Sequence, residues 1–230
     1  MIFGKSLRNF IVLKNQQTRI LLLIFLTGFF NAGFLHAQTD CDLRKKENNI
    51  YVYACKVEDS KLKSVRAHFD LPTSASRLAG YILDINLYTQ WQYNMIKARI
   101  LRQDKENELI YHAEVKAPWP VSNRDLVVRL QVTQDPQTKI MYFSIISIPE
   151  FIPATDGVVR IPRSEGKWVI TPTGENSVHV EYSFMVDPGG SVPVWMLNMA
   201  AAEGPYRSFI NLTERIKAGI PVKKASFIKD

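Results

Sequence analysis

The sequence predicts an α+β fold, a long antiparallel sheet curved around one long C-terminal helix. Three observations carry this. Between residues 50 and 186 the chain falls into runs of alternating apolar and polar residues, most of them paired across short polar turns. One stretch near residue 75 replaces that period of two with a helical period. Beyond residue 190 an extended helical pattern follows. A sheet of this length has to twist and curve, and the closing helix gives its apolar face something to wrap.

The elements follow in order. "CDLRKKENNIYVYAC" (41–55) folds back at "ENN". A hairpin centred on Asn48 sets residue 41 opposite 55, 43 opposite 53 and 45 opposite 51. Cross-strand Cβ atoms at such a pair lie close enough for a disulfide between Cys41 and Cys55; two buried free thiols are the alternative. In the next strand Val65, Ala67, Phe69 and Leu71 alternate with Ser64, Arg66, His68 and Asp70. "PTSASRLAGYILD" then places Ala75, Leu78, Ala79, Ile82 and Leu83 on one helical face, with Thr73 or Ser74 as cap. An aromatic loop surrounds Trp91.

Three hairpins come next, 95–103 with 108–117, 125–134 with 139–148, and 165–173 with 177–186. One face gathers Leu109, Tyr111, Ala113 and Val115, then Leu126, Val128, Leu130 and Val132, then Val178, Val180, Tyr182, Phe184 and Val186. Strand 139–148 is apolar on both faces in its middle, so its orientation stays open. In the last helix Pro193 suits the first turn, Gly204-Pro205 predicts a kink and Gly219 an end. Val194, Leu197, Ala201, Phe209, Leu212 and Ile216 form its stripe. The alanines at 200–202 narrow that stripe, either for close packing or to leave space inside the sheet. Residues 221–230 are expected to form a flexible tail.

Residues 1–37 have a different character. Lys5, Arg8, Lys14 and Arg19 precede the apolar run 20–30, and Ala37 follows, the order of a secretory signal. The run is shorter than the ~18 residues a membrane-spanning helix needs; an uncleaved anchor is the alternative. Residues 1–37 hold four of the 29 basic side chains and none of the 22 acidic ones, so without them the net charge falls from +7 to +3. With no basic run left, no nucleic-acid partner is expected. The expected location is the periplasm or the cell exterior, with residues 38–220 as one domain.

The search for catalytic motifs is empty. There is no phosphate loop, Gly-x-Ser-x-Gly elbow or His-Glu-x-x-His. His68, His112 and His179 fall on polar strand faces and are expected to be solvated. The cysteine spacing fits no metal site, and no cofactor is expected. Asn211-Leu-Thr213 is a glycosylation sequon whose helical context argues against use.

"APWPVSNRDLVV" (117–128) resembles the signature of the START family, the steroidogenic-acute-regulatory-related lipid-transfer domains. "NNIYVYACKV", "LDINLYTQWQYNMIKARIL", "IPATDGVVRI", "GKWVITP" and "VDPGGSVPVWMLN" match further parts of that family in the same order, over residues ~40–220. The resemblance implies a helix-grip fold, a curved sheet gripping the C-terminal helix around a tunnel for one lipid or sterol-like molecule. It implies a carrier rather than an enzyme. It also implies a lid at 149–157, with Phe151, Ile152 and Pro153.

The expected tunnel lining is Tyr111, Ala113, Arg124, Val128, Leu130, Trp168, Ile170, Tyr182, Phe184, Leu197, Ala201 and Phe209. Trp119 and its flanking prolines stiffen the link before the strand. Arg124 shares the inward parity of Leu126 and Val128 and needs a partner. Asp125 or Glu114 would make an internal salt bridge; a ligand head group or hydroxyl is the alternative. Without a further inward charge, the expected ligand is neutral and mostly apolar. The chain is expected to act as a monomer that touches membranes transiently. The alternatives are a helix-grip cyclase or hydrolase using Tyr111, Tyr182 and Arg124, or a scaffold whose side chains fill the cavity.

Overall fold

Two asparagines build the first turn. Asn48 and Asn49 hold φ of 53° and 60°, the left-handed region that asparagine tolerates better than most residues. Such a two-residue turn closes a tight hairpin, here between β1 (Cys41–Glu47) and β2 (Ile50–Lys56). Cys41 stands opposite Cys55 and Leu43 opposite Tyr53, as the sequence predicts. Lys45 faces Val52 instead of Tyr51, because an irregularity between Leu43 and Lys45 absorbs one residue. Cys41 and Cys55 form a disulfide.

The structure is a computed structural model that describes residues 41–57 and 63–230, and their side chains except those of 63, 194–196 and 198–202. The predicted signal at 1–37 and the Ala201 side chain therefore lie outside the described residues. After the hairpin come β3 (Lys63–Leu71), α1 (Ala75–Leu83), a 3-10 turn (Ile85–Leu87) and α2 (Tyr88–Trp91). The strands β4 (Met95–Lys105), β5 (Glu108–Val115), β6 (Arg124–Gln134) and β7 (Met141–Ser147) follow. Then come β8 (Val159–Arg160), β9 (Arg163–Gly174), β10 (Ser177–Asp187) and the long α3 (Val194–Lys217).

The main strands form one antiparallel path, β1-β2-β3-β10-β9-β7-β6-β5-β4. The three predicted hairpins are all present, and β3 joins β10 to close the early strands onto the late ones. β8 adds a short parallel pairing with β6. Helices on the concave side complete the helix-grip arrangement. α3 runs through Pro205, although a proline removes one helical N–H.

The inward parity read from the sequence matches the core. Val65, Ala67, Phe69 and Leu71, Leu109 and Leu130, and Val178 and Val180 are all buried. Register settles β7, whose Met141 and Phe143 face inward beside Ile170 and Trp168. From α3, Tyr206, Phe209, Leu212 and Ile216 pack into the same core. Tyr206 is tied to the first hairpin by Asn48, whose side-chain N–H donates to its hydroxyl at 3.1 Å, and by Lys45, 4.0 Å over its ring.

The tail at 221–230, expected to be flexible, is instead a packed strap. Ala225 and Ile228 are buried. Gly80 on α1 has no side chain where a Cβ would collide with the Lys223 carbonyl oxygen. The Asp230 carboxylate accepts from Ser76 N and Ser76 Oγ, both at 2.6 Å. It thereby caps the first turn of α1, where Ser74 makes no side-chain cap bond. Its terminal position marked the tail as loose; the missing side chain on α1 makes room for it.

Candidate functional site

Cross-strand register lines the inner face with rows of side chains. One row runs Ala67, Tyr182, Trp168, Phe143, Val132. The next runs Val65, Phe184, Gly166, Ile145, Leu130, Leu109. Beyond it Val186 pairs with Ser164, while Ser147, Val128 and Tyr111 continue on the far side. The backbone N–H of Ser164 donates to Ser147 Oγ at 2.8 Å, joining the two halves of that row.

These rows are not equally filled. Tyr111, Ala113, Val128, Leu130, Trp168, Ile170 and Phe209 are buried on the concave side. Tyr182, Phe184 and Leu197 are only half-buried, as are Val186 and Ile145. At their centre sits Gly166, where an added Cβ would stand 3.3 Å from Phe184 Cδ2 and 3.4 Å from Ile145 Cβ. Sequence periodicity did not single out Gly166, Ser147 or Ser164, because small residues carry no strong alternation signal.

Three tyrosines put hydroxyls into this interior. Tyr88 of α2 packs edge-on against Tyr111 of β5, with ring centroids 5.4 Å apart. Tyr182 packs edge-on against Trp168 at 5.0 Å and Phe209 at 5.1 Å. Burial pushes all three phenols above their ordinary range, so each stays protonated. Among the described residues no three His, Cys, Asp or Glu side chains gather as a metal site.

Arg124 stands at the rim, but neither expected salt bridge forms. Its guanidinium donates to three backbone carbonyls, those of Ser122, Pro188 (3.4 Å) and Gly189 (3.3 Å). Carbonyls thus supply the compensation that a buried cation needs. Beside Arg124 opens a cleft of about 760 Å³, lined by Pro120, Val121, Ser122, Val159 and residues 190–193. Trp119, at the tip of the corner, is 91% exposed. Its peptide bond to Pro120 is cis.

Asp125 instead anchors a network on the outer face. Arg160 donates to both its carboxylate oxygens at 2.9 Å, and His112 Nε2 lies 2.9 Å from Oδ2. Burial alone would raise the Asp125 carboxyl; bonds from Arg160 and His112 outweigh it and hold the carboxyl below its ordinary value. Arg160 also donates to the carbonyls of Pro149, Ile152 and Pro153. Arg102 lies 5.3 Å from the Phe151 ring centroid.

The segment read as a lid, Phe151 to Pro153, therefore packs over the outer side of β4, β5 and β6. Outward-facing Ile110, His112 and Val127 on that side are buried. The expectation that His112 is solvated fails, because it is buried against Asp125. Alternation assigned it to the outer face without showing that a loop covers that face. His179 does stand near the surface, with Nδ1 2.7 Å from Asp70, while His68 stacks on Tyr51 at 4.6 Å. Glu114 pairs with Lys97 at 2.9 Å and accepts from Asn123 at 3.0 Å.

A family model described as the START domain matches residues 41–209. The chain belongs to the START-domain family. It is 27% identical over 173 residues to the uncharacterized protein PA1579 of Pseudomonas aeruginosa, covering 75% of this chain and 85% of that one. It is 28% identical over 135 residues to the phosphatidylcholine transfer protein of Mus musculus. That match covers 57% of this START chain and only 62% of the mouse protein's length. The crystal structure of a STAR-related lipid transfer protein from Xanthomonas axonopodis superposes with a TM-score of 0.71 at 29% identity. The superposition covers 77% of this chain and 98% of that one.

Proposed function

We propose that this START domain binds one lipid or sterol-like molecule inside the grip and carries it between membranes outside the cytoplasm, without turnover. The observation that carries the reading is the unfilled half of the inner face. Tyr182, Phe184, Val186 and Ile145 point inward and are still half-exposed. Covering apolar surface gains ~25 cal/mol per Å² before ordering costs, and an apolar guest would supply the cover. The names of its relatives, lipid transfer proteins among them, agree with this.

Trp119 is the expected membrane contact. An indole with nearly all of its surface in water prefers the membrane interface, and it stands next to the cleft that Pro120 and Val121 line. The disulfide and the signal-like leader support an exported, oxidising setting.

The test is mass spectrometry of the purified protein under native and then denaturing conditions, followed by lipid extraction from liposomes. A stoichiometric apolar adduct released on denaturation is the expected result. Empty protein that also extracts nothing from liposomes overturns the proposal.

A further inference from the structure

The half-buried region of the inner face ends at a group of three rings. Phe209 of α3 stands edge-on to Trp168 of β9, with centroids 5.6 Å apart and planes crossing at 85°. Trp168 and Tyr182 of β10 are 5.0 Å apart at 70°, and Tyr182 and Phe209 are 5.1 Å apart at 77°. Each ring therefore touches the other two. Edge-on rings at this spacing are in contact, so no hydrocarbon chain passes between them. Phe69 of β3 also packs on Phe209, at 4.5 Å.

The sheet is shut at the same level. Tyr182 and Trp168 belong to the row Ala67, Tyr182, Trp168, Phe143, Val132, and every member except Tyr182 is buried. On one side of that row Phe69, Val180, Ile170 and Met141 are at most 2% exposed. On the other side Phe184 and Ile145 are half-buried, as is Val186 beyond them. The helix changes in the same order. Leu197 is half-buried, while Phe209, Leu212 and Ile216 are buried.

A guest arriving from the half-buried side meets Val186 and Phe184 first, and then three rings already packed on one another. Moving a ring aside would lose its edge-on contacts and open a void in the core behind it. Val186 to Tyr182 is four residues of strand, a depth of about 13 Å.

We propose that Phe209, Trp168 and Tyr182 form the floor of the lipid site and set the length of the chain it accepts. Phe209 holds the floor together, because it comes from the helix and touches rings on β3, β9 and β10. This rests on the lipid-binding reading above and adds a length limit, with the residues that impose it.

The test offers the protein an equimolar mixture of the even straight-chain alcohols from dodecanol to docosanol, supplied in phosphatidylcholine vesicles. Native mass spectrometry counts the alcohols that are bound. The wild type should show an upper limit in chain length. Phe209→Ala should raise that limit by about two to four carbons, and the milder Phe209→Leu should raise it by less. Each methylene that gains room should favour its alcohol about fourfold. Leu212→Ala is the control. It lies beyond the floor, in the packed core, so it should lower the thermal transition and leave the limit where it is. Thermal transitions show which variants are folded, and Phe209→Leu carries the test if Phe209→Ala does not fold.

A wild type with no upper limit, an unmoved limit in the folded Phe209 variants, or an equal shift in Leu212→Ala overturns the proposal while leaving lipid binding intact. A wild type that takes up neither the alcohols nor the vesicle lipid overturns both readings.

Discussion

On β10, Val178 and Val180 are fully buried, whereas Tyr182, Phe184 and Val186 on the same face of the same strand are only half-buried. What stands around them differs. The first pair meets Leu71, Phe69 and Ile170 from neighbouring strands, in a core completed by Leu212 and Ile216 of α3 and by Ala225 and Ile228 of the strap. In the second group Tyr182 meets Trp168, while Phe184 meets Gly166 and Val186 meets Ser164 on β9, and Ser147 lies one strand further on. Small residues on β9 give Phe184 and Val186 less side chain to pack against. Alternation tells which face is apolar; it does not tell whether the opposite wall fills it.

The largest effect is expected from the Asp125 network on the outer face. Asp125→Ala should cost about 3–5 kcal/mol, because it leaves the Arg160 guanidinium buried without its carboxylate. Urea unfolding measures this, and proteolysis at 149–157 should quicken as the carbonyl clamp loosens. The same clamp predicts an acid response. The folded Asp125 value lies below its unfolded one, so its stabilisation is present above pH ~4. It is lost as the pH falls through the depressed value. Stability that stays flat through that acid range would sink this account.

The two ends can be compared directly. Leu212→Ala at the packed end should cost about 3 kcal/mol, since it opens a cavity in a filled core. Val186→Ala at the open end should cost about 1 kcal/mol or less. Equal losses in denaturant titrations would mean that the ends are not different. At the strap, Gly80→Ala pushes a Cβ into the Lys223 carbonyl and should cost about 2 kcal/mol. Hydrogen exchange at Ala225 and Ile228 would report the release.

A modest effect on stability, with the largest on binding, is expected for Gly166→Leu. A Cβ there would stand 3.3 Å from Phe184 Cδ2, the end of a movable ring, and 3.4 Å from Ile145 Cβ, which is fixed to the backbone, so the change should cost about 1–2 kcal/mol. The added side chain occupies the open region, and lipid uptake from liposomes should collapse. Unchanged uptake would place the guest elsewhere.

The sequence by itself determined what a two-residue repeat can encode. The pleat sends alternate side chains to opposite faces, so Tyr111, Val128 and Tyr182 could be assigned to the inner wall from spacing alone. The hairpins and the Cys41–Cys55 pairing were legible too, because short turns fix local register. Only the tertiary structure decided what covers each face. Arg160 reaches Asp125 across 35 positions of chain, Asp230 reaches Ser76 across 154, and residues 149–153 cross the outer face of the sheet. These contacts depend on how separate segments pack, and on close approaches such as that of Lys223 to Gly80. A local pattern carries no record of the distance between segments, so it cannot show which faces are closed, which are braced and which are left open.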